Sequence, residues 1–260
     1  MKLHWQVHPG SGPHLLLVHG FLTGPAQWQP NLDALASVCT PVTVKLWGHA
    51  GAPSPEPPEA YGAEHYVEQF ERLRSHLGVA TWFLLGYSLG ASLTLRYAFD
   101  HPDRVTGHLF TNSTSALADA AQMLDWKQSA GESATRIREG GLRAMERIPV
   151  HPRHARKLPS EIYQPLTAEA RLHDPAGIAN TLLHTSPAAS VRDRVTENTR
   201  PALLICGERE RRFRPHRQWV AERMPNLEIA DLAAGHAMNM ERPEAFNSAV
   251  LSFVDRWRTS

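Results

Sequence analysis

Short apolar runs alternate along this chain with segments in which apolar residues recur every three or four positions. The runs lie at residues 3–7, 15–18, 42–46, 82–85, 105–111, 202–206 and 228–232, each short enough for a strand. Helical spacing marks residues 28–35, 65–77, 89–100, 216–224 and 243–257. In the second of these, Val67, Phe70, Leu73 and Leu77 share a face, with Glu68, Glu71, Arg72 and Arg74 between them. Such alternation predicts an α/β fold whose mostly parallel central sheet is flanked on both faces by helices. Sheets of this kind build their sites in loops at the carboxyl ends of the strands.

Two stretches break the rhythm. Pro53, Pro55, Pro57 and Pro58 crowd residues 51–62 and predict a loop, because proline removes backbone donors. Residues 115–199 hold no clear strand. Helix-compatible pieces at 118–127 and 135–147 are followed by Pro149, Pro152, Pro159, Pro165, Pro175 and Pro187. The expected organisation is a core of residues 1–114 and 200–260, with residues 115–199 inserted as a helical cap over the carboxyl edge of the sheet.

The chemistry concentrates where strand meets helix. Gly86-Tyr87-Ser88-Leu89-Gly90 sits between the run at 82–85 and the helix at 89–100, the context of a G-x-S-x-G nucleophile elbow. A serine hydroxyl needs a general base, and the base needs an acid to fix its tautomer. His236 follows the run at 228–232 and precedes the last helix, and is the histidine best placed among fifteen. For the acid, Glu208 and Glu210 both follow the run at 202–206; Glu210 lies further into the loop, where it can turn toward His236. Two oxyanion donors are expected, the N–H of Leu89 after the serine and the N–H of Phe21 in His19-Gly20-Phe21-Leu22, with Leu22 as the near alternative. His19 itself reads as a hydrogen bonder beneath that loop. Phe21, Leu22 and Tyr87 are expected in the substrate pocket. Trp126 is a further candidate, with Leu117, Met123 and Leu124 as other walls of the cap, although stripes at this spacing also fit a helix's own packing. Apolar walls would suit uncharged esters or lactones.

Composition narrows the partners. A formal net charge of +1 over 260 residues implies neither nucleic acid nor an anionic membrane. No apolar run approaches the ~20 residues that span a bilayer, and the first residues lack the pattern of a signal peptide. A cytoplasmic protein acting on a small-molecule ester is the expectation; oligomeric state is not legible. Cys39 and Cys206 form no C-x-x-C pair and read as buried free thiols. His101, Asp103, His151 and His154 show no ligand spacing, so no metal is expected, and no glycine-rich phosphate loop calls for a nucleotide cofactor.

Together, His19-Gly20-Phe21, Gly48-His49 with Gly51, Gly86-Tyr87-Ser88-Leu89-Gly90, Gly207-Glu208-Arg209-Glu210 and Gly235-His236 resemble the α/β-hydrolase superfamily over nearly the whole chain. The resemblance implies the α/β-hydrolase fold and a Ser-His-Glu triad of Ser88, His236 and Glu210. Relatives commonly carry Asp where Glu210 and Leu46 stand. Within the superfamily the chain is similar to small carboxylesterases and to the menaquinone-pathway synthases that eliminate pyruvate. Gly207-Glu208-Arg209-Glu210 with Phe213, and Asp174-Pro175-Ala176-Gly177, look like the second group. Those synthases carry an arginine four residues after the serine, where this chain has Ser92. The resemblance therefore implies first an esterase working through an acyl-enzyme, and second a lyase or carbon–carbon hydrolase using the same triad.

Overall fold

The computed structural model describes residues 2–258. Seven strands, β1 His4–Val7, β2 His14–Val18, β3 Thr40–Lys45, β4 Trp82–Gly86, β5 Val105–Thr111, β6 Ala202–Gly207 and β7 Leu227–Leu232, form one sheet. Their order is β1-β3-β2-β4-β5-β6-β7. Only β1 runs antiparallel to its neighbour; all other pairings are parallel. Every residue of β4 and β6 is buried, which is why these strands read as continuous apolar runs and not as alternating ones.

The pleat sends successive side chains to opposite faces, and each face has its own helices. Leu16, Val18, Leu84 and Phe110 pack on one side with Val67, Phe70 and Leu73 of α2 (Ala63–His76) and Leu93 and Tyr97 of α3 (Leu89–Asp100). On the other side, Leu15, Leu17, Phe83 and Leu109 meet Leu35 of α1 (Gln29–Ala36) and Phe246, Val250 and Phe253 of the C-terminal helix, Pro243–Trp257. Both cysteines are free and buried. Among the described residues no helix is long and apolar enough to cross a membrane.

Between β5 and β6 the chain forms only helices: α4 Thr114–Leu117, α5 Ala120–Met145, α6 Ser160–Ala170 and α7 Pro175–Asn180, with shorter turns. The two separate pieces expected at 118–127 and 135–147 belong to one stretch that is helical over residues 120–140, kinks at Gly141 and ends in a last short turn. Residues 120–145 contain no proline, and a capping box between Asp119 and Gln122 starts the helix. The backbone leaves helical geometry only at Gly141. The helix expected at 216–224 instead begins at Arg214 as α8 (Arg214–Ala221), because Pro215 is tolerated in a first turn that has no N–H partner to lose. The proline-rich loop holds a single 3₁₀ turn, Pro58–Tyr61.

The turn after β4 is packed against the end of β2. A Cβ on Gly90 would lie 2.2 Å from the Val18 carbonyl oxygen and 2.6 Å from that of His19. Gly90→Ala should therefore destabilise the fold by about 3 kcal/mol, because backbone is what it strikes. Gly131, inside α5, has nothing within 4 Å of its added Cβ. Gly131→Ala should stabilise by about 0.5–1 kcal/mol through helix propensity alone. Thermal unfolding of the two variants beside the parent reads both signs.

Candidate active site

Ser88 occupies the sharp turn between β4 and α3 with φ 53° and ψ −113°, a left-handed conformation for a residue with a side chain. Neighbouring groups hold it there. Its N–H donates to Thr111 Oγ1 at 3.2 Å, and its carbonyl accepts from Ser113 Oγ at 2.7 Å. The Tyr87 N–H donates to the Val18 carbonyl at 2.9 Å, continuing the β2–β4 ladder to the base of the turn.

A cavity of about 820 Å³ opens over Ser88 and is lined also by Phe21, Leu89, Trp126, Glu210 and His236. His236 lies on the loop after β7. Its Nδ1 is 2.9 Å from Glu210 Oε2, so the ring presents Nδ1–H to the carboxylate and leaves Nε2 for a second partner. Asn112 Nδ2 donates to the same Glu210 oxygen at 2.7 Å, while Asn112 Oδ1 accepts from Gly207 N–H at 3.2 Å. Burial pushes the Glu210 carboxyl up, but the hydrogen bond and charge of His236 and the Asn112 amide outweigh it and hold Glu210 below the usual carboxylate range. Glu208, by contrast, is exposed. Tyr87 Oη donates to the His236 carbonyl at 2.9 Å, and the two rings meet edge-on with centroids 5.3 Å apart. Among the described residues no hydrogen bond joins Ser88 Oγ to His236; both side chains face the same cavity, and a serine hydroxyl reorients freely about χ1.

The loop after β2 passes directly over Ser88: a Cβ on Gly20 would lie 2.8 Å from the Tyr87 ring and 3.3 Å from Ser88 Cβ. The Gly20 carbonyl is turned away from the cavity, 2.8 Å from His19 Nδ1 and 2.9 Å from Thr23 Oγ1. Thr23 Oγ1 is also 2.6 Å from Gln27 Oε1, so its one proton serves these acceptors in turn. N–H and C=O of a trans peptide point opposite ways, so the Phe21 N–H points away from His19 Nδ1 and Thr23 Oγ1. Leu89 N–H begins α3 beside Ser88. Neither group donates a hydrogen bond among the described residues.

Beneath this loop lies a set of neutral rings. His19 Nε2 accepts from Leu46 N–H at 3.0 Å, which with the donating Nδ1 fixes one tautomer. His49 sits between His19 and His173, tilted to the first and edge-on to the second, with centroids 5.3 and 5.4 Å away. Burial lowers all three. His19 falls to about 3 and His173 to about 4, both against hydrogen bonds to backbone carbonyls that act in the opposite sense; His49 lies well below its ordinary range. His108, buried between β5 and Asn198, is likewise lowered by burial to about 4.

Two expected pocket residues are elsewhere. Leu22 is fully buried with Ala134, Ile137 and Ile178, because its φ of 58° turns the side chain from the cavity to the inserted helices. Tyr87 is 4% exposed and supports the His236 loop from behind. Of the other walls, Leu117 is buried and Leu124 is exposed at 55%. The wall from α5 is more polar than expected: Gln122, Ser129 and Ser133 line the cavity beside Trp126. Asn112, Ser113 and Arg212 escaped sequence reasoning. The polar run Thr111-Asn112-Ser113 at the carboxyl end of an apolar strand was the available signal.

The family described as alpha/beta hydrolase fold matches residues 13–243. A 2-succinyl-6-hydroxy-2,4-cyclohexadiene-1-carboxylate synthase of Salmonella arizonae is 27% identical over 250 residues, covering 94% of this chain and 95% of that protein. A carboxylesterase of Bacillus subtilis is 25% identical over 253 residues, covering 95% of this chain and 81% of that one. The structure of MenH from Staphylococcus aureus superposes with a TM-score of 0.87 at 19% identity, covering 99% of each chain.

Rings held neutral set an acid limit on stability. His19, His173 and His108 take up protons below about 3, 4 and 4 when folded, but from 6.5 downward when unfolded. The unfolded chain thus binds more protons between these limits. Stability should be fullest above pH 6.5 and fall toward pH 4, with a slope approaching about 1.4 kcal/mol per pH unit for each ring. Denaturant midpoints at pH 7.5, 6 and 5 measure this; an unchanged midpoint would mean that the rings take up protons as readily in the fold as in the unfolded chain.

Proposed function

The chain belongs to the alpha/beta hydrolase fold family, and from that membership we propose that it is a serine hydrolase that cleaves small carboxylic esters through an acyl-enzyme. The observation that carries this reading is the Glu210–His236 pair at 2.9 Å, facing Ser88 across one cavity. In the proposed cycle Ser88 Oγ attacks the ester carbonyl as His236 Nε2 takes its proton. Glu210, kept ionised by His236 and Asn112, stabilises the imidazolium. Phe21 and Leu89 N–H groups receive the developing oxyanion, and their freedom from other acceptors supports that role. His236 then protonates the departing alcohol, and a water activated by the same ring releases the acid. The inserted helices act as the cap, with Trp126 as a wall against the substrate.

The second reading is a lyase or carbon–carbon hydrolase like the synthase of Salmonella arizonae, which the similarity over most of both chains favours. Against it, Ser92 is buried and its Oγ lies 3.1 Å from Ser115 Oγ, so this position offers no cation to a charged substrate.

Ser88→Ala should lower kcat on p-nitrophenyl esters by on the order of 10⁴-fold or more. Near-parental turnover in that variant would remove Ser88 from the nucleophile's place. Glu210→Gln should cost roughly 10²–10⁴-fold, by analogy with other triad acids, and Glu208→Gln less than about threefold; the reverse ranking would move the acid to Glu208. A fluorophosphonate probe should label the parent and not Ser88→Ala. Pyruvate release from the synthase substrate without ester turnover would select the second reading.

A further inference from the structure

His173 follows α6 on the inserted segment and reaches beneath two turns that border the cavity. The residue is 4% exposed. Its Nε2–H donates to the Leu22 carbonyl at 2.9 Å, and its Nδ1 accepts from the Ala50 N–H at 2.9 Å. Leu22 and Ala50 both have left-handed backbones, with φ of 58° and 49°. Side-chain-bearing residues persist in that region only where their surroundings over-determine them. One neutral imidazole thus holds both.

Backbone pairing places the ring. Gly51 N–H donates to the Leu172 carbonyl at 2.9 Å, and Asp174 N–H to the Gly48 carbonyl at 2.9 Å, so residues 172–174 run alongside the turn at 48–51. Glu169 Oε2 accepts from Ala26 N–H at 2.9 Å, tying the same segment to the chain beyond the oxyanion loop. From this pairing the His173 ring makes the hydrogen bond to Leu22, whose turn follows the Gly20–Phe21 peptide that lies over Ser88. The near end of that loop is fastened from the core by His19, and the far end from the insertion by His173.

We propose that His173 is a positioning residue: by holding the Leu22 carbonyl it keeps the Phe21 N–H aimed at Ser88, so that the oxyanion donor is set only when the inserted segment is seated. The inference rests on the reading of Ser88 as nucleophile and Phe21 as donor. An interaction that serves the developing charge alone lowers kcat and leaves KM nearly unchanged when lost.

A pair of isosteric variants separates the two bonds of the ring. His173→Gln keeps a donor near Nε2 for Leu22 and loses the acceptor for Ala50; His173→Asn keeps the acceptor near Nδ1 and falls short of Leu22. The Gln variant should retain kcat within about threefold, while the Asn variant should lose roughly 10–100-fold in kcat with KM within about threefold, the scale of a weakened oxyanion donor. Fluorophosphonate labelling should slow in parallel, because the phosphonyl oxygen occupies the same place. Glu169→Ala, which removes the tie to Ala26 and leaves both His173 bonds in place, should leave kcat within about threefold. Hydrogen exchange across residues 21–24 should quicken in the Asn variant and not in the other two. Equal losses in Gln and Asn, an equal loss in Glu169→Ala, or unchanged kcat and exchange in Asn would each overturn the proposal. A parent protein that neither hydrolyses esters nor takes the probe would sink the esterase reading by itself; the exchange comparison would then decide whether His173 holds the turn.

Discussion

Tyr87 N–H donates to the Val18 carbonyl, and Gly90 packs against that same carbonyl, so the end of β2 and the turn after β4 are pressed together without side chains between them. This contact sets the distance between the loop that starts at His19 and the serine that starts α3. Any larger residue at Gly90 would lift the helix, and Ser88 with it, away from the Phe21 peptide. The proposed nucleophile and its oxyanion donor are neighbours because two adjacent parallel strands end at the same level.

The polar groups around that contact work mainly by orienting peptides. His19 turns the Gly20 carbonyl inward, Ser113 and Thr111 hold the two ends of the Ser88 residue, and Tyr87 holds the backbone of the His236 loop. Most of these groups are neutral. The charged members, Glu210 and Glu241, each gather hydrogen bonds onto one carboxylate oxygen: Glu210 from His236 and Asn112, Glu241 from Gly235 N–H at 3.0 Å as well as from Arg209. The loop carrying the proposed base is thereby fastened on both sides of His236.

The sheet, its helices and the placement of Ser88, Glu210 and His236 could be read from the chain because periodicity and motif context are local signals. Leu22 and Tyr87 could not. Both stand next to residues that face the cavity, yet one left-handed φ and one phenol hydrogen bond send their side chains the other way, and neither leaves a mark in the sequence. The inserted helices were the least legible region. Prolines announced interruptions there, but the length of α5 up to its break at Gly141 rests on the cap at Asp119 and on Ala134 and Ile137 packing against Leu22 and Ile178, contacts remote in sequence. His173 was silent for the same reason, since its partners are backbone atoms more than a hundred residues away.

One helix supplies much of the cavity wall. Gln122, Trp126, Ser129 and Ser133 follow one another at three- and four-residue steps on α5, while Ala134 and Ile137 pack that helix against Leu22 and Ile178. Recognition and support are therefore carried by different positions on the same rod. The four cavity-facing residues lie outside the buried pair Ala134 and Ile137, on an element separate from those that carry Ser88, Glu210 and His236. In such a layout the cavity lining can drift while the proposed triad stays put, a separation that would let one scaffold take new ligands by changing a single helical face.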